Sequence, residues 1–245
     1  MATILLFRHG ETSWNRDRRA QGWAPIGLTD RGRRHSRAAG EAIATQYDVD
    51  RIVTSDLRRA IETVRELRRS LDVPFERDPT WRERDFGELQ GLEYEMAFHT
   101  HPEFSLFESG HWAIDATPEG GESWLDLDER IRSGVADLLE RIGEDETVLV
   151  VSHGGPLQVV LGAVEGLDAV ESLAEHDLGN CALIDLAVDQ SGQGDRGTLD
   201  RSGVADGGTD GRPASEDGGT ADRRAAIGTV LTLQREPTVV GDPDA

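Results

Sequence analysis

The sequence predicts an α/β fold with a mostly parallel sheet covered by helices on both faces. Two runs, Ile4–Phe7 and Val148–Val151, are apolar at every position and do not alternate, which is the pattern of a strand buried on both sides. Segments of helical periodicity separate the strand-like ones. Strands that alternate with helices favour parallel pairing through right-handed crossovers.

The elements follow in order. Residues 3–8 read as the first strand. Thr29 can cap a helix in which Ala38, Ala39, Ala42 and Ile43 recur at helical spacing. Arg51–Thr54 is a short strand, and Ser55 or Asp56 is expected to cap the helix after it. That helix has the apolar stripe Leu57, Ala60, Ile61, Val64, Leu67 and Leu71. Residues 79–121 are irregular and rich in aromatics, His, Gly and Pro, which reads as a lid or wall over a site. Ser123 opens a long helix carrying Leu127, Ile131, Val135, Leu138, Leu139 and Ile142. The strand Thr147–Ser152 then runs into His153-Gly154-Gly155 and another helix, and residues 180–188 and 227–235 read as the last two strands. Between them, residues 189–226 are rich in Gly, Asp and Ser with almost no large apolar side chain. Such a stretch cannot offset its ordering entropy and is expected to be a disordered acidic insertion.

The net charge is −21, and all 26 basic residues are arginine. Nucleic-acid affinity rests on clustered cations, so no nucleic-acid partner is expected. Excess carboxylate without lysine reads as adaptation to high salt, where repulsion is screened, and hence as a halophilic protein. One cysteine, Cys181, excludes an intramolecular disulfide framework and reads as a small buried hydrophobe. The apolar runs are too short to span a membrane or to form a signal peptide, so a cytoplasmic protein with no membrane partner is expected; its oligomeric state is open, a homodimer included.

Two apolar strands end in a histidine followed by glycine, as LLFRHG and LVVSHGG. Ligands of open parallel sheets bind outside the carboxyl ends of strands, so His9 and His153 are expected to meet in one crevice. The residues alone leave such a histidine as core residue, metal ligand, base or nucleophile. Metal ligation needs a third ligand; His99 and His101 are the candidates, but a solvated loop is the simpler reading of that tract. An arginine beside a histidine at a sheet mouth suits phosphate, because its planar fork matches phosphoryl oxygens. Arg8 adjoins His9. Arg58 and Arg59 lie on different sides of the next helix, and spacing does not choose between them.

Several stretches carry a wider resemblance when taken together and in order. They are Arg8-His9-Gly10-Glu11-Thr12 with Asn15, Gln21-Gly22, Leu28-Thr29, SDLRRAIET at 55–63, RERDFGELQG at 82–91, GGES at 120–123 and SHGG at 152–155. The chain resembles the histidine phosphatase superfamily, which includes the cofactor-dependent phosphoglycerate mutases and many small phosphomonoesterases. The likeness spans about residues 3–188 and the last strand. It implies a phosphoglycerate mutase-like three-layer α/β/α sandwich, taken as a single domain over 1–245. By the same resemblance, His9 is the nucleophile that becomes phosphohistidine, and Arg8 and Arg59 bracket the phosphoryl group. His153 contacts its oxygens, and Glu83 is the acid that protonates the leaving oxygen. Asn15, Gln21 and Gly22 complete the phosphate pocket. Glycine after each histidine, Gly10 and Gly154, is expected to let the anion approach the backbone closely. Asp85 is expected to help raise the Glu83 pKa. Neither metal nor cofactor is implied.

The mutase pattern is not kept throughout. Mutases follow the Glu-Arg pair with His-Tyr, where this chain has Asp85-Phe86. Their substrate lysine corresponds to Tyr94, their paired arginines are absent from FSLFESGHWAID, and Gly155 stands where they carry Asn. Fewer cations favour hydrolysis of a small phosphorylated metabolite; mutase activity is the alternative. A catalytically silent phosphate-ester binder is a third reading, disfavoured because binding alone needs neither nucleophile nor acid. Phe86, Phe98, Phe104, Phe107 and Trp112 either line the substrate side of the pocket or simply pack the irregular segment, and packing is the simpler reading.

Overall fold

The computed structural model describes residues 1–189 and 231–240. Nearly all of the stretch expected to be a disordered insertion, together with residues 227–230, lies outside the described residues.

One six-stranded mixed sheet organises the chain, in the order β3-β2-β4-β1-β5-β6. The strands are β1 (Ala2–Arg8), β2 (Arg51–Thr54), β3 (Phe75–Arg77), β4 (Thr147–Ser152), β5 (Ala182–Val188) and β6 (Leu231–Val239). The four strands from β3 to β1 are parallel, and β5 pairs antiparallel with both β1 and β6. The last strand runs from Leu231 to Val239, later than the expected 227–235, and its pairing with β5 is irregular around Asp185. The edge strand β3 has three residues, too few for a periodic signal.

The apolar runs split between two cores by alternation. Ile4, Leu6, Val148 and Val150 join Leu127, Ile131, Leu157 and Val160 on one face. Leu5, Phe7, Leu149 and Val151 join Ala39, Ile43, Ala60 and Val64 on the other. The helices responsible for the second face are α2 (Asp30–Gln46) and α3 (Arg58–Leu67), while α6 (Trp124–Arg141) and α7 (Gly154–Glu165) cover the first. This is the three-layer α/β/α sandwich, with each central strand buried on both sides.

Capping follows the sequence at two helices and departs from it at a third. Thr29 accepts the Gly32 N–H at the start of α2, and Ser123 forms a reciprocal box with Asp126 at the start of α6. At α3 neither Ser55 nor Asp56 caps: the N-cap is Leu57, without a side-chain bond. Asp56 is taken by two 2.6 Å bonds from Arg82, while Ser55 Oγ accepts from His153 at 2.8 Å and from the Leu57 N–H, just before the helix, at 3.3 Å. Residues 79–121 form short turns and two small helices, α4 (Tyr94–Thr100) and α5 (Leu106–Ser109), beside the carboxyl edge of the sheet. A four-residue helix, α1 (Ser13–Arg16), follows β1, and α8 (Ala169–Glu175) follows α7.

Candidate active site

Adjacent strands place the two histidines together. The β1–β4 register pairs Arg8 with Ser152, and His9 N–H donates to Ser152 O at 3.0 Å. On the other flank of β4, Ser55 N–H donates to Val151 O at 3.0 Å just after β2 ends. Three neighbouring strand ends therefore set His9, His153 and Ser55 side by side at the carboxyl edge. The imidazole centroids of His9 and His153 lie 5.1 Å apart.

The hydrogen bonds fix the state of each ring. His9 Nδ1 lies 2.8 Å from Gly10 O, so it carries the proton, and Nε2 keeps its lone pair. The Arg59 Nε–H donates to His9 Nε2 at 3.2 Å and to His153 Nδ1 at 3.1 Å. His153 Nδ1 is therefore an acceptor, and its Nε2–H donates to Ser55 Oγ at 2.8 Å. Burial, reinforced by Arg59 and Arg8, holds the pKa of His9 well below the usual imidazole value. Burial, with Arg59, His9 and Arg8, does the same to His153. Both rings are neutral at neutral pH, and an imidazole nucleophile requires this.

Burial separates the two arginines that spacing left equal. Arg59 is 1% exposed, held by Gly22 O at 2.8 Å, and burial lowers its pKa to about 10. Arg58 points outward to Glu62 at 2.8 Å. Arg8, which lines the same pocket, donates from NH1 to Leu178 O, while its Nε is buried with no acceptor among the described residues.

The loop after β1 is tied by its own side chains. Thr12 and Asn15 form a reciprocal capping box at α1, and the Thr12 hydroxyl also reaches Gln21 Oε1 at 2.9 Å. The Gln21 carbonyl is thus occupied, and its amide NH2 is the end left to face the pocket. Gly22 has φ +48°, and a Cβ there would press on Phe86 N at 2.8 Å, so glycine is required by the turn. Gly10 is also required by packing. A Cβ there would meet Ser36 Oγ at 2.4 Å and Gly32 O at 2.7 Å, so it is the packing of α2 against the loop that needs glycine. Gly154 faces Arg8 at an ordinary 3.6 Å.

Glu83 reaches the pocket from the irregular segment. Its carboxylate accepts Arg84 N–H at 2.9 Å and Gly155 N–H at 3.4 Å. Trp23 Nε1 and Arg130 fix its backbone carbonyl at 2.8 Å and 3.3 Å. Asp85 Oδ1 accepts the Gly87 N–H at 2.9 Å.

Sequence reading missed four supports: Trp23, Ser55, Arg130 and Asn180. Asn180 Nδ2 donates to His9 O at 3.0 Å and to Asn15 Oδ1 at 3.3 Å, bracing the strand end against the loop. The only signal was its place just before β5, the neighbour of β1.

Two connected cavities result. A pocket of about 170 Å³ is lined by Arg8, His9, Asn15, Gln21, Gly22 and Arg59, among others. It opens through Arg8, Arg18, Glu83, Phe86 and Tyr94, which line both spaces, into a chamber of about 800 Å³. The small pocket fits a phosphoryl group, and the chamber is of a size for a metabolite. Of the five aromatics considered, Phe86 and Phe98 line the chamber and Phe104 packs behind them, whereas Trp112 is 89% exposed. The Phe107 side chain lies outside the described residues. Among the described residues no group of three His, Cys, Asp or Glu could hold a metal ion, and no helix is long and apolar enough to cross a membrane.

The model of the histidine phosphatase superfamily (branch 1) matches residues 4–196. The chain belongs to this superfamily. It is 37% identical over 164 residues to phosphoglycerate mutase-like protein 4 of Arabidopsis thaliana, covering 64% of this chain and 68% of that protein. It is 32% identical over 205 residues to the glucosyl-3-phosphoglycerate phosphatase of Mycolicibacterium vanbaalenii, covering 79% and 88%. The solved structure of Bacillus stearothermophilus YhfR superposes with a TM-score of 0.70 at 29% identity, covering 78% of this chain and 93% of that one. The protein is thus an enzyme of a superfamily whose members include phosphatases and mutases, and the phosphatase reading fits it.

Proposed function

We propose that the protein hydrolyses a small phosphorylated metabolite through a phosphohistidine intermediate, without metal or cofactor. The observation that carries this reading is the His9–Arg59–His153 cluster, in which two neutral imidazoles share one guanidinium N–H, with His9 and Arg59 lining a phosphate-sized pocket and His153 buried behind them. In the first step His9 Nε2 attacks phosphorus; the N–P bond forms as the ester P–O bond breaks, and Glu83 gives its proton to the leaving oxygen. In the second, the Glu83 carboxylate takes a proton from a water that attacks phosphorus. The N–P bond breaks, and His9 returns neutral with orthophosphate released. Arg8 and Arg59 stabilise the charge on the equatorial oxygens, and Asn15, Gln21 and Gly22 close the pocket, while Gly154 lines the chamber. His153, with its N–H on Ser55 and its Nδ1 accepting from Arg59, meets those oxygens only after it exchanges one of these bonds.

Hydrolysis is favoured over mutase transfer by the chamber wall. Beyond Arg8 it offers one further cation, Arg18, against the carboxylates Glu95, Glu108 and Asp177, a poor surface for retaining a bisphosphorylated ligand. The lone cysteine supports a cytoplasmic setting for the reaction. The test is metal-free hydrolysis of p-nitrophenyl phosphate with trapping of an acid-labile phosphoenzyme. Both are expected to vanish in His9→Ala. A phosphoenzyme that survives that substitution overturns the assignment, and faster isomerisation of 3-phosphoglycerate than its hydrolysis establishes the mutase alternative.

A further inference from the structure

Arg18 stands apart from the arginines whose place in the molecule is explained by a carboxylate. Its side chain makes no hydrogen bond or ion pair among the described residues, in a chain with 47 acidic residues against 26 basic ones. It lines both the phosphate pocket and the chamber, at their junction. Its backbone has φ +50°, the left-handed region that asparagine or glycine enters at little cost and an arginine does not. That conformation is held from both sides: Arg18 N–H donates to Asn15 O at 3.1 Å, and Arg18 O accepts Tyr94 N–H at 2.8 Å. One neighbour belongs to the phosphate loop and the other to the chamber wall. A strained residue pinned between them, with an unpaired cation at the junction, is organised for something other than folding.

We propose that Arg18 determines specificity by binding a second anionic group, a carboxylate, on the alcohol part of the phosphomonoester. This rests on the phosphomonoesterase reading and goes beyond it by naming the substrate class. With the phosphoryl group in the small pocket, the first atoms of the alcohol portion pass the junction that Arg18 lines. A carboxylate on the carbons next to the ester meets the guanidinium fork there. A second phosphate fits less well, because the further chamber wall holds Glu95, Glu108 and Asp177, which repel a higher negative charge and suit hydroxyl groups.

The test measures binding and does not depend on turnover. In the His9→Asn enzyme, calorimetry gives the affinities of 3-phosphoglycerate and of glycerol 3-phosphate, which differ at the group Arg18 should read. We expect the carboxylate-bearing ester to bind more tightly, and Arg18→Gly to reduce that discrimination about tenfold. Arg18→Lys should restore part of it, since charge is kept and the fork is lost. The melting temperature should not fall in Arg18→Gly, because glycine relieves the φ constraint; a loss of discrimination through misfolding would lower it. The discrimination should also shrink in molar salt, as Arg18 is exposed. Discrimination that is absent at the start, or unchanged in Arg18→Gly, overturns the proposal and leaves the phosphatase reading intact. Failure to bind either ester overturns that reading, and this inference with it. If His9→Asn does not fold, the same ratio is read from kcat/KM in the enzyme with His9.

Discussion

The proposed acid can be displaced without touching its own side chain. Gly155 donates its N–H to Glu83, and a Cβ at that position would lie 2.5 Å from Glu83 Oε1 and 3.2 Å from Leu127 Cδ2. The first distance is about 1 Å inside normal contact. The Glu83 backbone cannot yield, because Trp23 and Arg130 hold its carbonyl. In Gly155→Ala the carboxylate must therefore rotate away and lose its place beside the leaving oxygen. Complete loss of general acid catalysis costs about 10²–10⁴-fold, or about 3–5 kcal/mol of transition-state stabilisation. The assay compares two leaving groups. Glycerol 3-phosphate releases an alkoxide that needs the proton, while p-nitrophenolate departs without one. Gly155→Ala should lower kcat on the alkyl ester by at least 10²-fold and on p-nitrophenyl phosphate by far less. Stability should hold, since alanine in the first turn of α7 gains up to about 1 kcal/mol of helix propensity over glycine. Equal losses on the two esters, or none on either, refute the placement of Glu83 as acid.

Other expectations follow from the buried imidazoles and from the charge. The acid limb of kcat/KM should lie well below pH 6.5, because His9 and His153 both bind protons more weakly than a free imidazole; a limb centred near 6.5 would contradict the neutral pair. The unfolded chain binds protons at these two sites before the folded one does. Their contribution to stability is therefore complete above about pH 6.5 and falls as pH drops below it, by up to about 1.4 kcal/mol per pH unit for each ring. Urea midpoints across pH 4–8 check the sign. With a net charge of −21, the melting temperature should rise from dilute buffer to molar KCl as the screening length falls from about 10 Å at 0.1 M to about 3 Å. A flat response would remove the case for adaptation to high salt.

The parts of this molecule legible in its sequence are those written in local patterns. Ile4–Phe7 and Val148–Val151 announce strands buried on both faces, and Thr29 and Ser123 mark helix starts because capping is a contact over three residues. What stayed hidden depends on partners brought from far along the chain. Ser55 looks like a cap, and it does accept the Leu57 N–H, but its shorter bond is to a histidine 98 positions away. The need for glycine at position 10 to pack against α2 could not be read from its place beside His9. Asn180 and Arg130 act through the main-chain carbonyls of His9 and Glu83, and a bond to a carbonyl leaves no trace in residue identity. The 79–121 wall reads as irregular because its turns and two short helices cover a site, with no continuous apolar face to set a period.

Chemistry and specificity separate along the same line. The proposed nucleophile His9 and its neighbour His153 sit at adjacent strand ends whose positions are set by the cores on both sheet faces, so their geometry changes little with the surface. The groups that would read the alcohol come from the loop after β1, the 79–121 wall and the segment after α8, none of which is part of the sheet. Phosphoryl transfer to a histidine is common to both outcomes; what decides between water and a second hydroxyl as acceptor is how long the wall keeps the first product. A mutase must hold a bisphosphorylated species through reorientation, which takes several cations facing the chamber. On the proposed function, one unpaired arginine facing three carboxylates is too little to retain a bisphosphorylated species, and this favours water as the acceptor.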